Sequence, residues 1–184
     1  TNAVGAWLAV AFAVGATGRT VLLGALRGLV ALLAAVGAYY LLIRILGDLK
    51  DRRQKGSLKF DRVIIETTGM ADPGPVAQTF FTDEDIGNYY LLDSILTVVD
   101  AKHAQKQLDE FHEAQEQVGF ADRILLSKTD LTAEEETDRL IKRLKKMKPR
   151  APIKRVHFGN APLAEVLDIR GFNLNAILEL DPEF

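Results

Sequence analysis

Four short apolar runs, rich in β-branched residues and separated by polar stretches, constrain the fold more than any other feature of the sequence. A run of this kind, bounded by turn residues, is typical of a strand that is buried on both faces of a parallel sheet. Because strands that alternate with helices imply right-handed crossovers, we expect an α/β fold, a parallel sheet with helices on both faces. The predicted strands are Phe60–Glu66, Ser94–Asp100, Ala121–Ser127 and Ile153–Phe158.

The stretches between these runs have helical or loop character. Ile43–Lys55 combines apolar and charged residues as a helix does, and Gly56 follows as the residue that ends it. Thr132 and Glu135 have the spacing of a capping box, which predicts a helix that runs to about Lys148. The other predictions are a helix over Pro75–Phe81, a loop over Thr82–Asn88, a helical stretch over Ala101–Gln117 and short helices over Leu163–Leu167 and Asn173–Leu178.

Polar residues follow every predicted strand at its carboxyl end. In a parallel sheet these ends lie along one edge, and ligands of open α/β folds bind just beyond that edge. We therefore expect a single functional edge, formed by Glu66, Asp100, residues 127–130 and residues 158–160.

The stretch Val63–Pro75 has the sharpest change of character, because a β-branched run stops at Glu66 and a loop rich in Gly and Pro follows. A carboxylate at a strand end can hold the hydration shell of Mg²⁺ or orient a water molecule. Gly69 has no side chain, so its backbone N–H can approach a phosphate oxygen closely. Glu66 and Gly69 are therefore candidate catalytic residues, and an ordinary loop after a strand is the alternative.

The sequence Ser127-Lys128-Thr129-Asp130 directly follows the third predicted strand. A carboxylate such as Asp130 can accept two hydrogen bonds from guanine, through a ring N–H and an exocyclic amine that adenine does not offer in this arrangement. The stem of Lys128 can cover the face of the base. The alternative is a turn in which Asp130 or Thr132 caps the next helix.

The composition changes sharply after residue 43. Residues 1–43 contain no Lys, Asp or Glu, and Ala, Gly, Val and Leu fill 32 of these positions. The uncharged runs Asn2–Gly18 and Gly28–Ile43 are at the short limit for a membrane span. Three interpretations stay open: a membrane hairpin or anchor, helices packed on the domain, or a segment that is not native to it. We therefore predict two parts, residues 1–43 and a globular domain over residues 44–184.

Charge and cysteine content limit the kinds of site that the chain can carry. The formal net charge of −2 gives no signal for nucleic acid as a partner. The chain has no cysteine, so it can form neither disulfides nor a thiolate metal site. His112 lies among Glu110, Glu113 and Glu116, an arrangement compatible with a surface metal site but more typical of a polar helix face.

From about Arg44 to Phe184 the chain resembles the nucleotide-binding domain of the CobW-type GTPases, P-loop metallochaperones related to the nickel-insertion GTPases of hydrogenase and urease. The resemblance is carried by Phe60–Pro73, Thr97–Ala104, Ser127–Asp130 and Gly171–Pro182. It implies a P-loop NTPase-like fold that is incomplete at the N-terminus, and a cytoplasmic location. It also implies GTP or GDP with Mg²⁺ as ligands, and delivery of a metal such as zinc or cobalt to a metalloprotein client.

The resemblance also implies roles for individual residues. Glu66 and Gly69 match the Glu-x-x-Gly switch of the family, which senses the γ-phosphate and Mg²⁺. Ser127, Lys128 and Asp130 match its guanine-specificity motif.

Two further groups of residues are typical of the family in their positions. Phe158, Gly159 and Asn160 fall where the last base-contacting loop of the family lies, and Gly159 and Asn160 are the candidate binding residues there. Asp100 and His103 belong to a strand end that occurs in the family, but the resemblance implies no role for them.

Two motifs of the family have no match in the sequence. The nearest approach to the phosphate-binding loop G-x-x-x-x-G-K-[ST] is Gly15–Thr20, where Arg19 stands in place of the lysine. The Cys-x-Cys-Cys metal motif would fall near Gly37–Tyr40. Because phosphoryl transfer depends on positioning and charge neutralisation, we expect nucleotide binding without useful GTP hydrolysis. The alternative is a non-catalytic, membrane-tethered or scaffold module with a degenerate nucleotide fold.

Overall fold

The computed structural model describes residues 21–67, 69 and 71–172. The described residues form two compact units, one of residues 21–66 and 74–91 and the other of residues 67–73 and 92–172. The predicted helix Asn173–Leu178 lies outside the described residues, as do the first 20 residues of the apolar segment. Within the described part of the chain, no helix combines the length and the apolar character that crossing a membrane requires.

The first unit is built on one long helix, α1, which extends over Val21–Gln54. It contains the predicted helix Ile43–Lys55 almost entirely and begins much earlier. The helix continues without a break across residue 43, where the composition changes. The division of the chain at that residue therefore stays a prediction.

The C-terminal end of α1 is a Schellman motif. Ser57 N–H donates to Arg52 O, and Gly56 N–H donates to Arg53 O, each over 3.0 Å. Gly56 has a φ of +71°, the left-handed conformation that a residue without a side chain adopts most easily. The predicted helix end at Gly56 is confirmed.

Two short helices follow in this unit, α2 over Gly74–Thr82 and α3 over Glu84–Gly87. The first confirms the helix predicted to open at Pro75. Tyr90, which follows α3, donates its hydroxyl proton to Leu46 O of α1 over 2.8 Å. This hydrogen bond attaches the end of the helical pair to the long helix.

The loop predicted over Thr82–Asn88 is wrong, because α3 forms within it. Asp83 is the N-cap of α3, and its Oδ1 accepts a hydrogen bond from Ile86 N–H over 3.0 Å. Asp and Glu are frequent in loops, but they also favour the first turn of a helix, where they cap free N–H groups and face the positive end of the dipole. Burial of Ile86 then stabilises the turn.

The second unit is a three-stranded parallel sheet with helices, which confirms the predicted α/β class. In spatial order the strands are β1 (Leu96–Asp100), β2 (Arg123–Ser127) and β3 (Ile153–Arg155). The helices of this unit are α4 (Ala104–Glu110), α5 (His112–Phe120), α6 (Glu134–Met147) and α7 (Leu163–Val166).

The core of this unit lies on the face of the sheet that carries Val99, Ile124 and Leu126. Ile124 and Leu126 are fully buried. Each apolar side chain of this size contributes about 1.5–3 kcal/mol when it is removed from water. These three residues pack with Leu108 of α4, Val118 of α5 and Leu140 and Leu144 of α6. The core therefore fixes the positions at which β1 and β2 end.

The strand predicted over Phe60–Glu66 is wrong. Residues 62–67 have no regular secondary structure, and the side chain of Ile64 is 82% exposed. β-branched residues favour a strand only when a neighbouring strand pairs with them and covers their side chains. No strand in the described residues pairs with residues 60–66, so the apolar pattern alone does not form one.

Two other predicted elements differ from the observed ones in their bounds. The strand predicted over Ile153–Phe158 ends at Arg155, because the chain turns back at residues 157–160. The helical stretch predicted over Ala101–Gln117 consists of α4 and α5, which are divided at Phe111. The extended backbone of Phe111 (φ −125°, ψ 122°) interrupts the helical hydrogen bonds.

The capping box predicted at Thr132 and Glu135 is wrong in detail. Ala133 is the N-cap of α6, and it has no side-chain cap. A single 3-10 turn over Thr129–Leu131 precedes the helix. Thr132 Oγ1 instead lies 2.8 Å from Thr137 Oγ1, so its hydroxyl joins the turn to the helix body. The predicted end of α6 is confirmed within one residue.

Candidate functional site

The carboxyl ends of β1 and β2 meet side by side. Their register pairs Asp100 with Ser127, the last residue of each strand. Ala101 N–H donates to Ser127 O over 2.9 Å, so the pairing continues one residue beyond β1. Asp100 and the residues after Ser127 are therefore neighbours at the edge where ligands of such sheets bind.

Asp100 contacts the side chains of Lys128 and His103. Its Oδ2 lies 2.7 Å from Lys128 Nζ and 3.0 Å from His103 Nδ1, and its Oδ1 accepts a hydrogen bond from Lys102 N–H over 2.9 Å. Partial burial alone would raise the pKa of Asp100, but the hydrogen bonds from Lys128, His103 and the Lys102 N–H outweigh it and hold the pKa at about 2. Asp100 is therefore an anion at neutral pH.

The sequence assigns no role to Asp100 and His103, and the structure shows that Asp100 holds the lysine of the predicted guanine motif while His103 contacts Asp100. The signal in the sequence is that Asp100 ends one predicted strand as Ser127 ends the next. Parallel pairing in register then brings Asp100 close to Lys128. Register is a tertiary property, so the sequence alone does not predict this contact.

Lys128 begins the loop that carries Asp130. It has a φ of +58°, a left-handed conformation that is uncommon for a residue with a side chain. Leu131 N–H donates to Lys128 O over 3.1 Å, which closes the 3-10 turn. This turn directs the chain away from β2 and presents Asp130, whose side chain is 46% exposed.

Asp130 lies beside the turn that follows β3. Its Oδ1 is 3.4 Å from His157 Nδ1. Asn160 N–H donates to His157 O over 2.9 Å, and the two central residues, Phe158 and Gly159, have positive φ of 48° and 71°. The structure thus brings Asp130 together with the turn that contains Gly159 and Asn160, two of the predicted base-contacting residues.

The two predicted switch residues belong to different units. Glu66 is exposed, and Gly69 is part of the second unit. Gln117 Nε2, on α5, donates to Gly69 O over 3.0 Å and to Ala71 O over 2.8 Å. Thr97 Oγ1 of β1 in turn donates to Gln117 O over 2.6 Å. No motif in the sequence indicates that Gln117 holds this loop.

Gly69 and Asp100 line the same shallow cavity of about 170 Å³, next to β1. A side chain added at Gly69 would meet no atom within 4 Å, so the protein itself does not require glycine at this position. The cavity also exposes the side chains of Gln107 and Gln117. A phosphate oxygen close to the backbone N–H of Gly69 would leave no room for a side chain, which would explain why glycine occupies this position.

No three side chains of His, Asp and Glu come together in the described residues closely enough to hold a metal ion. His112 Nε2 lies 2.9 Å from Glu116 Oε1, one turn apart on α5. Of the possible surface metal site around His112, the structure shows this contact with Glu116. It is an ordinary contact between residues one turn apart on an exposed helix face.

Comparisons with known proteins agree on one family. Residues 41–155, more than half of the chain, match the family model described as CobW/HypB/UreG, nucleotide-binding domain. The chain is 46% identical over 138 residues to the zinc chaperone YjiA of Escherichia coli, which covers 74% of this chain and 43% of that protein. It is 38% identical over 125 residues to the zinc-regulated GTPase metalloprotein activator 1 of Schizosaccharomyces pombe, which covers 67% of this chain and 30% of that protein.

Solved structures show the same likeness. The crystal structure of the Zn(II)-bound YjiA GTPase from E. coli superposes with a TM-score of 0.64 at 48% identity, over 70% of this chain and 40% of that chain. The chain therefore spans less than half of the length of the relatives it matches.

Proposed function

The chain belongs to the CobW/HypB/UreG family of nucleotide-binding domains, and on that premise we propose that it forms the guanine-nucleotide-binding part of a GTPase that delivers zinc. Two of the relatives are named a zinc chaperone and a zinc-regulated GTPase metalloprotein activator, which supports zinc as the metal and a metalloprotein as the client. The parallel sheet, whose strand ends carry Asp100 and Lys128, supports a nucleotide at this edge.

The observation that carries the proposal is the position of Asp130 beside the turn of residues 157–160. Asp130 accepts hydrogen bonds from the guanine edge, and its contact with His157 orients the carboxylate. Gly159 and Asn160 lie on the same turn and line the base site. A bidentate contact between a carboxylate and a base contributes a few kcal/mol of discrimination against adenine.

At the phosphate end, Glu66 and Gly69 act as the nucleotide-sensing residues of this proposal. Gln117 holds the backbone on both sides of this loop position through Gly69 O and Ala71 O. Movement of the loop toward a γ-phosphate would break these two hydrogen bonds, so α5 would respond to the state of the nucleotide.

Mg²⁺ has an incomplete donor set in this chain. Mg²⁺ that accompanies a nucleotide is held by one or two protein oxygen ligands together with the phosphates and water. Glu66 is the exposed carboxylate at the predicted place, and the sequence offers no phosphate-loop hydroxyl beside it. The described residues therefore do not form a Mg²⁺ site by themselves, and base recognition does not depend on one.

The test is the preference of the purified chain for GDP over ADP, measured by calorimetric or NMR titration up to millimolar concentration. We expect weak binding with a preference for GDP. Asp130→Asn should reduce this preference at least about tenfold, because an amide N–H faces the two guanine donors. It should also improve binding of xanthosine diphosphate, whose 2-oxo group accepts from the amide.

Glu135→Gln is the matched control, since it removes the same charge from an exposed residue nearby on α6. It should leave the nucleotide preference unchanged. Equal binding of GDP and ADP by the unmodified chain, or an Asp130→Asn variant that keeps the preference, would contradict the proposal.

A further inference from the structure

Phe158 is the most exposed of the large apolar side chains in the described residues. Its side chain is 93% exposed, and it stands at the tip of the turn over residues 157–160. The resemblance places Phe158 in the loop that contacts the base, but it implies no interaction for the aromatic ring. An aromatic ring left in water at the carboxyl edge of a parallel sheet lies where ligands of such folds bind.

The backbone at Phe158 is unfavourable for its own side chain. Its φ is +48°, and Gly159 follows with +71°. Tight turns whose two central residues both have positive φ strongly favour Asn-Gly, because Asn tolerates the left-handed conformation far better than an aromatic residue does. Strained conformations of this kind concentrate at ligand sites. An aromatic residue kept at a strained position therefore indicates that its ring contacts a ligand.

His157 lies between the Phe158 ring and Asp130, the carboxylate proposed to bind the base. The rings of His157 and Phe158 pack edge to face, with centroids 4.4 Å apart and planes inclined by 65°. On its other side, His157 Nδ1 is 3.4 Å from Asp130 Oδ1. His157 therefore contacts both the aromatic ring and Asp130.

We propose that Phe158 is the stacking surface for the nucleobase, which lies on its ring while Asp130 binds the guanine edge; this inference rests on the proposed function. Stacking on an aromatic face does not depend on the identity of the base. Phe158 therefore supplies affinity for all purine nucleotides, and Asp130 supplies the discrimination between them. His157 is a positioning residue.

The decisive variant is Phe158→Asn. It removes the ring and at the same time introduces the residue that this turn favours, so the fold is retained. Phe158→Trp keeps an aromatic face, and Leu163→Ala is a control that shortens another exposed apolar side chain of the same unit. GDP and ADP are titrated against each variant of the 184-residue chain by calorimetry and by aromatic ¹³C NMR.

We expect Phe158→Asn to weaken the binding of GDP and of ADP by the same factor, about tenfold. Phe158→Trp should bind at least as tightly as the unmodified chain, and Leu163→Ala should be unchanged. The Phe158 ring signals should shift on addition of GDP. A Phe158→Asn variant that binds GDP normally would overturn the stacking role while leaving the proposed function intact. A chain that binds neither nucleotide would overturn both.

Discussion

Asp100 holds Lys128 at 2.7 Å and His103 at 3.0 Å, at the point where β1 ends. The lysine of the guanine motif is therefore anchored by a carboxylate from the neighbouring strand. Its stem is positioned at the edge of the sheet before any ligand binds. This arrangement reduces the side-chain freedom that Lys128 would lose on covering a base.

The low pKa of Asp100 predicts a pH dependence of stability. A carboxyl whose pKa is about 2 in the folded chain, below its ordinary value of 3.8, stabilises the fold at pH values above about 4. That contribution is lost as the pH falls from about 4 to 2. Asp100→Asn should lower the free energy of unfolding at pH 7 by about 1 kcal/mol, since Lys128 is half exposed and water screens the pair.

Urea unfolding at several pH values, followed by circular dichroism, measures this effect. The difference between the unmodified chain and Asp100→Asn should shrink as the pH falls below about 4. Glu135→Gln, at an exposed position, should show no comparable pH-dependent difference. A constant difference between pH 7 and pH 2 would contradict the assignment of the stability to the ionised carboxylate of Asp100.

Among the elements, α1 shows where local signals suffice and the segment over residues 60–66 shows where they do not. The end of α1 is set by Gly56, whose left-handed backbone completes the Schellman motif within five residues of chain. Residues 60–66 have the composition of a strand but no pairing partner in the described residues. A helix end is a local structure, whereas a strand needs a neighbour.

Gly47 within α1 and Gly56 just after its end should respond oppositely to substitution by alanine. Gly56→Ala should lower the free energy of unfolding by about 1 kcal/mol, because alanine is strained at a φ of +71°. Gly47→Ala should raise it by about 0.5–1 kcal/mol, because alanine is the better helix former and its side chain would meet no atom within 4 Å.

Denaturant unfolding followed by the helical circular dichroism signal compares the two variants. Because both variants replace Gly by Ala, they have the same effect on the unfolded chain. The sign of the change in the free energy of unfolding therefore depends on the backbone conformation in the folded state. If Gly56→Ala stabilised the chain as much as Gly47→Ala, the left-handed backbone conformation assigned to Gly56 would be contradicted.

At the scale of the whole molecule, the chain contains the residues proposed to recognise the base but lacks the loop that binds the phosphates. The residues proposed to bind the base lie at the end of β2 and in the loops that follow β2 and β3. The phosphate loop that the family places before the sheet has no match in the 184 residues. Phosphoryl transfer requires that loop, because it neutralises and positions the transferred group.

We therefore expect the purified 184-residue chain to release no phosphate from GTP with Mg²⁺ above the buffer background over several hours. The zinc chaperone YjiA of E. coli, whose crystal structure is that of a Zn(II)-bound GTPase, serves as the positive control under the same conditions. Turnover that depends on Mg²⁺ and is lost in Asp130→Asn would contradict the prediction. Turnover that Asp130→Asn leaves unchanged would indicate a contaminating enzyme.

The sequence by itself determined the α/β class, the places of β1 and β2, and the C-terminal ends of α1 and α6, because these depend on local periodicity and on residues that stop a helix. Residues 127–130 were also recognisable from their position after a buried strand. Only the tertiary structure decided the contacts of Asp100 with Lys128, of His157 with Asp130 and of Gln117 with the loop at Gly69. Each joins residues that are distant in sequence, and the register of the sheet and the packing of α5 bring them together.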